Sequence, residues 1–147
     1  MKTLLDWFKD RRSRAIVRLM KDHLIKVLDT NHGFIEAIRT CLMKPVDKER
    51  VLTSLEAVHL NEKAGDSILL DLTELISGAL FLPTRHIMYR LVRSNDSIAN
   101  WHHAASKNLQ LALNLGFPLL PNTLKIEEKM LQLCEQSIIK LREAIEM

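Results

Sequence analysis

Two pairs of oxygen-bearing side chains, each spaced by four residues, are the features of this sequence best suited to chemistry. Glu62 and Asp66 form the first pair, and Asp96 and Asn100 form the second. In a helix this spacing places both side chains on one face, one turn apart. Glu62 also falls in an apolar stripe, where a carboxylate is costly unless it is paired or binds a metal. The pattern therefore predicts metal ligands at all four positions.

Two histidines extend these pairs. His59 precedes Glu62 by three residues, and His103 follows Asn100 by three. We expect both at the edge of the site, either as additional ligands or as residues that pack behind the ligands. Oxygen ligands with imidazole at the edge suit iron, zinc or manganese. The alternative is a solvated edge or a salt bridge to Arg93, with no metal.

The turn between the second and third predicted helices sets the heights of these side chains. It is expected near Pro83, and Asp66 lies 17 residues before it, while Asn100 lies 17 residues after it. In an antiparallel pair, equal counts from the turn fall at similar heights. Asp66 is therefore expected level with Asn100, with Glu62 and Asp96 within about one turn, roughly 5.4 Å.

Four prolines divide the sequence into blocks in which apolar residues recur every three or four positions: Pro45, Pro83, Pro118 and Pro121. That period is typical of helices and not of strands. Short connections place successive helices antiparallel. The sequence thus predicts an all-α fold, an antiparallel up-down helical bundle of about four long helices.

Residues at the block edges predict where these helices begin and end. Asp47 and Thr84 are expected as N-caps of the second and third helices. Gly116 is expected to end the third helix. Asn122 or Thr123 is expected to open the fourth.

Composition agrees with one helical domain. The 147 residues include only four glycines and four prolines, which is too few for an all-β fold. The two cysteines are far apart and form no C-x-x-C motif, so neither a disulfide scaffold nor a cysteine zinc site is supported. No apolar run reaches the roughly 18 residues of a membrane span, and the start of the chain is too charged for a signal peptide. We therefore expect a cytoplasmic protein.

Positive charge is concentrated in the first third of the chain. Residues 1–50 contain 12 Lys and Arg against 7 Asp and Glu, while the remainder contains 9 against 11. Arg11, Arg12, Arg14 and Arg18 are candidates for contact with a partner or an anionic surface, although a solvated helix face is the simpler interpretation. Interleaved acids and a net charge of +3 weigh against nucleic-acid binding.

Catalytic motifs are scarce. The sequence has no phosphate-binding glycine loop and no H-E-x-x-H motif. Glu56-x-x-His59 matches the Glu-x-x-His motif of di-iron proteins. A ferritin-like site needs two such motifs plus a Glu from each of two other helices, and the third helix offers only Asn100-x-x-His103. We therefore expect a protein that is not an enzyme, with a di-iron oxidase as the enzymatic alternative.

Several segments, in order, resemble the PhoU-like family, in particular its branch of phosphate-transport regulators. The segments are Trp7-Phe8 with Arg11-Arg12, residues 17–27 with His23, the Glu-x-x-x-Asp motif at 60–66, the turn at 81–83 with Arg85, and the Asp-x-x-x-Asn motif at 96–100. Together they cover about residues 5–115. Asn100 stands where the family usually has a second aspartate, and Gly65 where alanine is common.

The resemblance implies a function. PhoU-like proteins are helical bundles of two three-helix repeats that bind iron or zinc clusters through paired acidic motifs. They restrain phosphate uptake or signalling at the cytoplasmic side of membrane transporters. By resemblance, Glu62, Asp66 and Asp96 are metal ligands, and a membrane phosphate transporter or its cytoplasmic regulator is the partner. Residues 1–147 would form one domain.

The chain holds one repeat, at about 5–115, and one additional helix, at about 122–147. A homodimer or higher oligomer would restore a two-repeat body. A helical interaction module without metal and a basic nucleic-acid-binding bundle remain the alternatives outside the enzymes.

Overall fold

The computed structural model describes residues 11–78 and 82–146, without the side chains of residues 11–12, 82–84 and 146. These ranges form four α-helices and no strand: α1 (Arg11–Leu42), α2 (Lys48–Ser77), α3 (Leu82–Leu115) and α4 (Pro121–Glu146). The predicted all-α bundle of four long helices is confirmed. The division into a three-helix repeat and an additional helix stays a prediction.

Helix α1 is the centre of the bundle. Its backbone closely approaches α2, α3 and α4, and α2 also approaches α3, whereas α4 approaches only α1 among the described helices. Three apolar clusters run along α1 and join it to its neighbours. Their most deeply buried members include Phe34, Ile16, Leu24, Ile38, Leu72 and Ile76. Within residues 11–78 and 82–146, no helix is both long and apolar enough to cross a membrane.

Two predicted helix ends are confirmed. The carboxylate of Asp47 accepts a hydrogen bond of 3.0 Å from the backbone N–H of Arg50, which satisfies one donor of the first turn of α2. Gly116 has a φ of 71°, in the left-handed region, and follows α3 directly. The N–H of Phe117 then donates to the carbonyl of Ala112 at 2.9 Å, which closes the helix end.

The predicted starts of α3 and α4 are wrong by three residues and by one or two residues, respectively. Thr84 lies inside α3, which begins at Leu82, and Asn122 and Thr123 lie inside α4, which begins at Pro121. Proline is favoured in the first turn of a helix because that turn does not need its missing N–H. Pro83 and Pro121 therefore lie in the first turns of the helices that they were expected to precede.

Asn31 is a polar side chain buried among apolar residues of α1. It is fully buried, and its Nδ2 donates a hydrogen bond of 3.2 Å to the backbone carbonyl of Leu131 on α4. A shift of α4 along α1 would leave this buried donor without its partner, at a cost of about 1–3 kcal/mol. Asn31 therefore fixes the register between α1 and α4.

Two glycines face neighbouring helices with different amounts of space. A Cβ atom added to Gly33 on α1 would lie 3.1 Å from Cγ2 of Val58 and 3.3 Å from the carbonyl oxygen of Ser54. A Cβ atom added to Gly65 on α2 would lie 3.6 Å from Cβ of Lys26, which is an ordinary contact. Gly33 therefore permits the close approach of α1 and α2, whereas Gly65 leaves room for a methyl group.

Candidate metal centre

Glu62 and His59 on α2 meet His103 on α3 near the middle of both helices. Oε1 of Glu62 lies 3.1 Å from Nδ1 of His103, and Nε2 of His103 lies 3.1 Å from Nδ1 of His59. One ligand atom from each residue can be chosen so that all three lie within 4.8 Å of one another. His59 and Glu62 reach the same neighbour because a spacing of three keeps them on one face of α2.

The centre of this group is shielded from water. Glu62 is 9% exposed and His103 is 8% exposed, while His59 is partly buried. A buried carboxylate needs compensation by a proton, a partner or a metal. Here the imidazole of His103 compensates the carboxylate of Glu62, and the imidazole of His59 contacts the opposite side of the His103 ring.

The two imidazole nitrogens that face each other are at hydrogen-bond distance, which is also close to the spacing of two ligands on a metal. In a tetrahedral zinc site with Zn–N bonds of 2.0–2.1 Å, two ligating nitrogens are roughly 3.4 Å apart. The observed separation of His59 Nδ1 and His103 Nε2 is 3.1 Å. Glu62 lies against the other nitrogen of His103. A carboxylate at that position holds the proton on Nδ1, orients the ring and leaves Nε2 available as a ligand.

A second polar group adjoins the first on the side of α1. Nε2 of His23 lies 3.4 Å from Oδ1 of Asp96, and Nδ2 of Asn100 donates a hydrogen bond of 2.8 Å to Oδ2 of the same carboxylate. His23 is only 1% exposed, and this burial lowers the pKa of its imidazole against the opposing effect of Asp96. The Asp96 carboxylate is therefore held between α1 and a neighbouring turn of α3.

Asp66 completes the acidic surface between these groups. Its side chain is exposed, yet partial desolvation and the negative charges of Glu62 and Asp96 raise the pKa of the Asp66 carboxyl. Mutual influence of this kind requires that the three carboxylates lie near one another. Their combined charge favours a cation at this part of the bundle.

The contacts between α2 and α3 lie close to the predicted register. The contact of Glu62 with His103 joins residues whose midpoint in sequence falls between residues 82 and 83, and the contact of His59 with His103 joins residues equidistant from residue 81, against the predicted midpoint at Pro83. His103 therefore meets α2 between His59 and Glu62, and His59 moves from the edge of the expected site to its centre.

Of the predicted ligands, only Glu62 belongs to the group within ligand distance, together with the two histidines expected at the edge. Asn100 turns its amide toward Asp96. The assignment of Asp66, Asp96 and Asn100 as ligands stays a prediction. The guanidinium of Arg93 lies 5.3 Å from the ring centre of Tyr89, so the alternative of a salt bridge to Arg93 is not what the described side chains form.

The sequence did not predict His23 as a site residue, although the segment at 17–27 that resembles the PhoU-like family contains it. Spacing along α2 and α3 carries no information about a third helix. The di-iron alternative loses support, since Glu56 is exposed and outside the group.

The predicted basic surface is partly described. Arg14 and Arg18 are exposed on α1, and Arg18 lies 3.9 Å from Asp22. The side chains of Arg11 and Arg12 lie outside the described residues. The contact of these arginines with a partner or an anionic surface stays a prediction.

Comparisons with known proteins identify no similar protein. No protein-family model, no curated protein and no solved structure matches this chain. The resemblance to the PhoU-like family therefore stays a prediction.

Proposed function

We propose that this protein is a metal-binding helical adaptor without enzymatic activity, in which His59 and His103 hold one divalent ion between α2 and α3 and Glu62 orients the ring of His103. The observation that carries the proposal is the 3.1 Å separation of His59 Nδ1 and His103 Nε2, with Glu62 against the opposite nitrogen of His103. Imidazole ligands backed by a carboxylate suit zinc or iron, and a carboxylate oxygen from the nearby acidic residues would also suit manganese.

Metal binding at this position would act on the shape of the bundle. Because the ligands come from two helices, the ion would hold α2 and α3 together at mid-height. An ion that binds only the folded protein adds about 2.7 kcal/mol of stability at a concentration of 100 times its Kd. The shape of the protein surface over α2 and α3 would then depend on the metal supply. An adaptor could in this way transmit the metal supply to a partner that contacts this surface.

The biological role that fits this device is regulation of inorganic phosphate transport. The support is the order of PhoU-like segments in the sequence together with the four-helix bundle. The partner would be a membrane phosphate transporter or its regulator at the cytoplasmic face. The stripe of Ile126, Met130 and Leu133 on α4, each more than half exposed, supports contact with a second copy or with that partner.

Elemental mass spectrometry on untagged protein tests the metal site. We expect near-stoichiometric zinc, iron or manganese in the wild type and in the His86→Gln control, which removes an exposed imidazole from α3. The double variant His59→Gln/His103→Gln should lose the metal and its thermal stabilisation while circular dichroism shows an unchanged fold. An Asp66→Asn/Asp96→Asn variant should keep the metal.

The outcomes separate the two ligand sets. Loss of metal only in the aspartate variant would show that the acidic residues are the site and would overturn the assignment of the histidines. Metal-free protein in every case, even after reconstitution, would overturn the proposal. The phosphate role is tested separately by phosphate uptake in cells that lack the protein, which the wild type should correct and the double histidine variant should not.

A further inference from the structure

The outer face of the first half of α3 forms an open groove of about 520 Å³. The residues that matter for its chemistry recur every three or four positions, so they share one helix face. They are His86, Tyr89, Arg90, Arg93, Ser94 and Ser97. Arg90 and Arg93 precede His103 by 13 and 10 residues, which places them about 20 Å and about 15 Å from it along α3. The groove is therefore a different surface from the candidate metal centre.

Arg90 and Arg93 bring positive charge to this groove. Within the described part of the chain, no carboxylate lines the groove and neither of these two arginines forms an ion pair. By contrast, Arg39 and Arg50 each contact a glutamate on another helix. The acid closest in sequence, Asp96, is directed toward α1 instead.

One of the two guanidinium groups is already oriented. The Arg93 guanidinium lies over the Tyr89 ring, 5.3 Å from its centre, which restricts the side chain and leaves its N–H edges accessible. The Ser97 hydroxyl donates to the carbonyl of Arg93, so it cannot donate to a ligand as well. The donors that line the groove beside Ser97 include Arg90, Arg93 and Ser94.

We propose that this groove binds a phosphate-bearing anion. Guanidinium groups match the oxygens of phosphate in a two-point geometry, and side chains three positions apart on a helix start about 5–6 Å from each other, which allows both arginines to reach one phosphoryl group or two linked ones. The groove is larger than a single phosphate, so the ligand is a soluble polyphosphate compound or a phospholipid headgroup. The site uses none of the metal-centre residues and does not depend on the proposed function.

Two binding measurements at physiological ionic strength test the proposal. Calorimetric titration with tripolyphosphate examines a soluble ligand. Co-sedimentation with vesicles of phosphatidylcholine, alone or mixed with phosphatidylglycerol, examines a headgroup. The test variant is Arg90→Gln/Arg93→Gln, and the control is Lys107→Gln/Lys125→Gln, which removes the same charge from exposed positions elsewhere on α3 and on α4.

We expect binding in at least one measurement, weakened about tenfold or more per arginine in the test variant and changed less than about twofold in the control. Binding of tripolyphosphate alone would identify a soluble ligand, and binding of the mixed vesicles alone would identify a headgroup. Equal losses in both variants would show general charge attraction and overturn the proposal. Absence of binding in both measurements would also overturn it.

Discussion

Alanine in place of Gly65 is expected to stabilise the protein. Glycine in the middle of a helix costs about 0.8–1.0 kcal/mol relative to alanine. The added Cβ would lie 3.6 Å from Cβ of Lys26 and 4.0 Å from the nearest ring atoms of His23, so it would make ordinary contacts without displacing a neighbour. Gly65→Ala should therefore raise the free energy of unfolding by about 1 kcal/mol.

The same substitution at Gly33 is the matched control. It brings the same gain in helix propensity, but the Cβ would lie 3.1 Å from Val58 Cγ2 and 3.3 Å from the carbonyl oxygen of Ser54. A backbone oxygen cannot rotate away, so α1 and α2 must separate slightly. Overpacking of this kind costs about 1–3 kcal/mol. Gly33→Ala should therefore be neutral or destabilising by up to about 2 kcal/mol.

Urea unfolding followed by far-ultraviolet circular dichroism, in the presence of a chelator, measures both variants without a contribution from bound metal. A gain of 1 kcal/mol corresponds to a rise in Tm of about 2–4 °C for a chain of this size. Equal effects of the two substitutions, or a loss of stability in Gly65→Ala, would refute the packing assigned to α1 and α2.

Three further outcomes follow from burial. Leu72→Ala should lower the free energy of unfolding by about 2–5 kcal/mol in the same assay, because Leu72 is 0% exposed and its removal leaves a cavity; a loss below 1 kcal/mol would contradict its place in the core. Burial raises the pKa of the Glu127 carboxyl above its ordinary value of 4.5, so the folded state loses stability as pH rises through that raised pKa. Glu127→Gln should accordingly stabilise the protein at pH 7 but not well below pH 4.5, where both side chains are neutral; a pH-independent difference would refute this. Cys41 is 6% exposed and burial raises the pKa of its thiol, so a thiol reagent should modify it far more slowly in the folded protein than in urea, and equal rates would contradict its burial.

The helices were predictable because their signals are local. Apolar residues repeat every three or four positions between prolines, and the caps at Asp47 and Gly116 depend on their own side chain or φ angle. The starts of α3 and α4 were less predictable, because proline is compatible both with a turn and with the first helical residues.

The candidate group lies on the predicted helices, but its histidines were expected at its edge. Spacing along α2 placed Glu62 inward, but the partner that it meets depends on the packing between helices. Equal counts from Pro83 pair Asp66 with Asn100, whereas the side chains in contact are those of His103 with Glu62 and His59. His23 lies on a third helix. Arg93 was considered only as a salt-bridge partner, and Arg90 was not considered, because only the fold shows that no described carboxylate lines their groove.

The peripheral position of α4 has a consequence for how the molecule opens. The backbones of α1, α2 and α3 approach one another pairwise, whereas the backbone of α4 closely approaches only that of α1 among the described helices, and α4 meets α3 through side chains of the apolar clusters. Native-state hydrogen exchange should therefore find a cooperative unit of lower opening free energy in residues 121–146. Such an opening would uncover Ile138 and the face of α1 beneath it, and a helix from another molecule could occupy the same position.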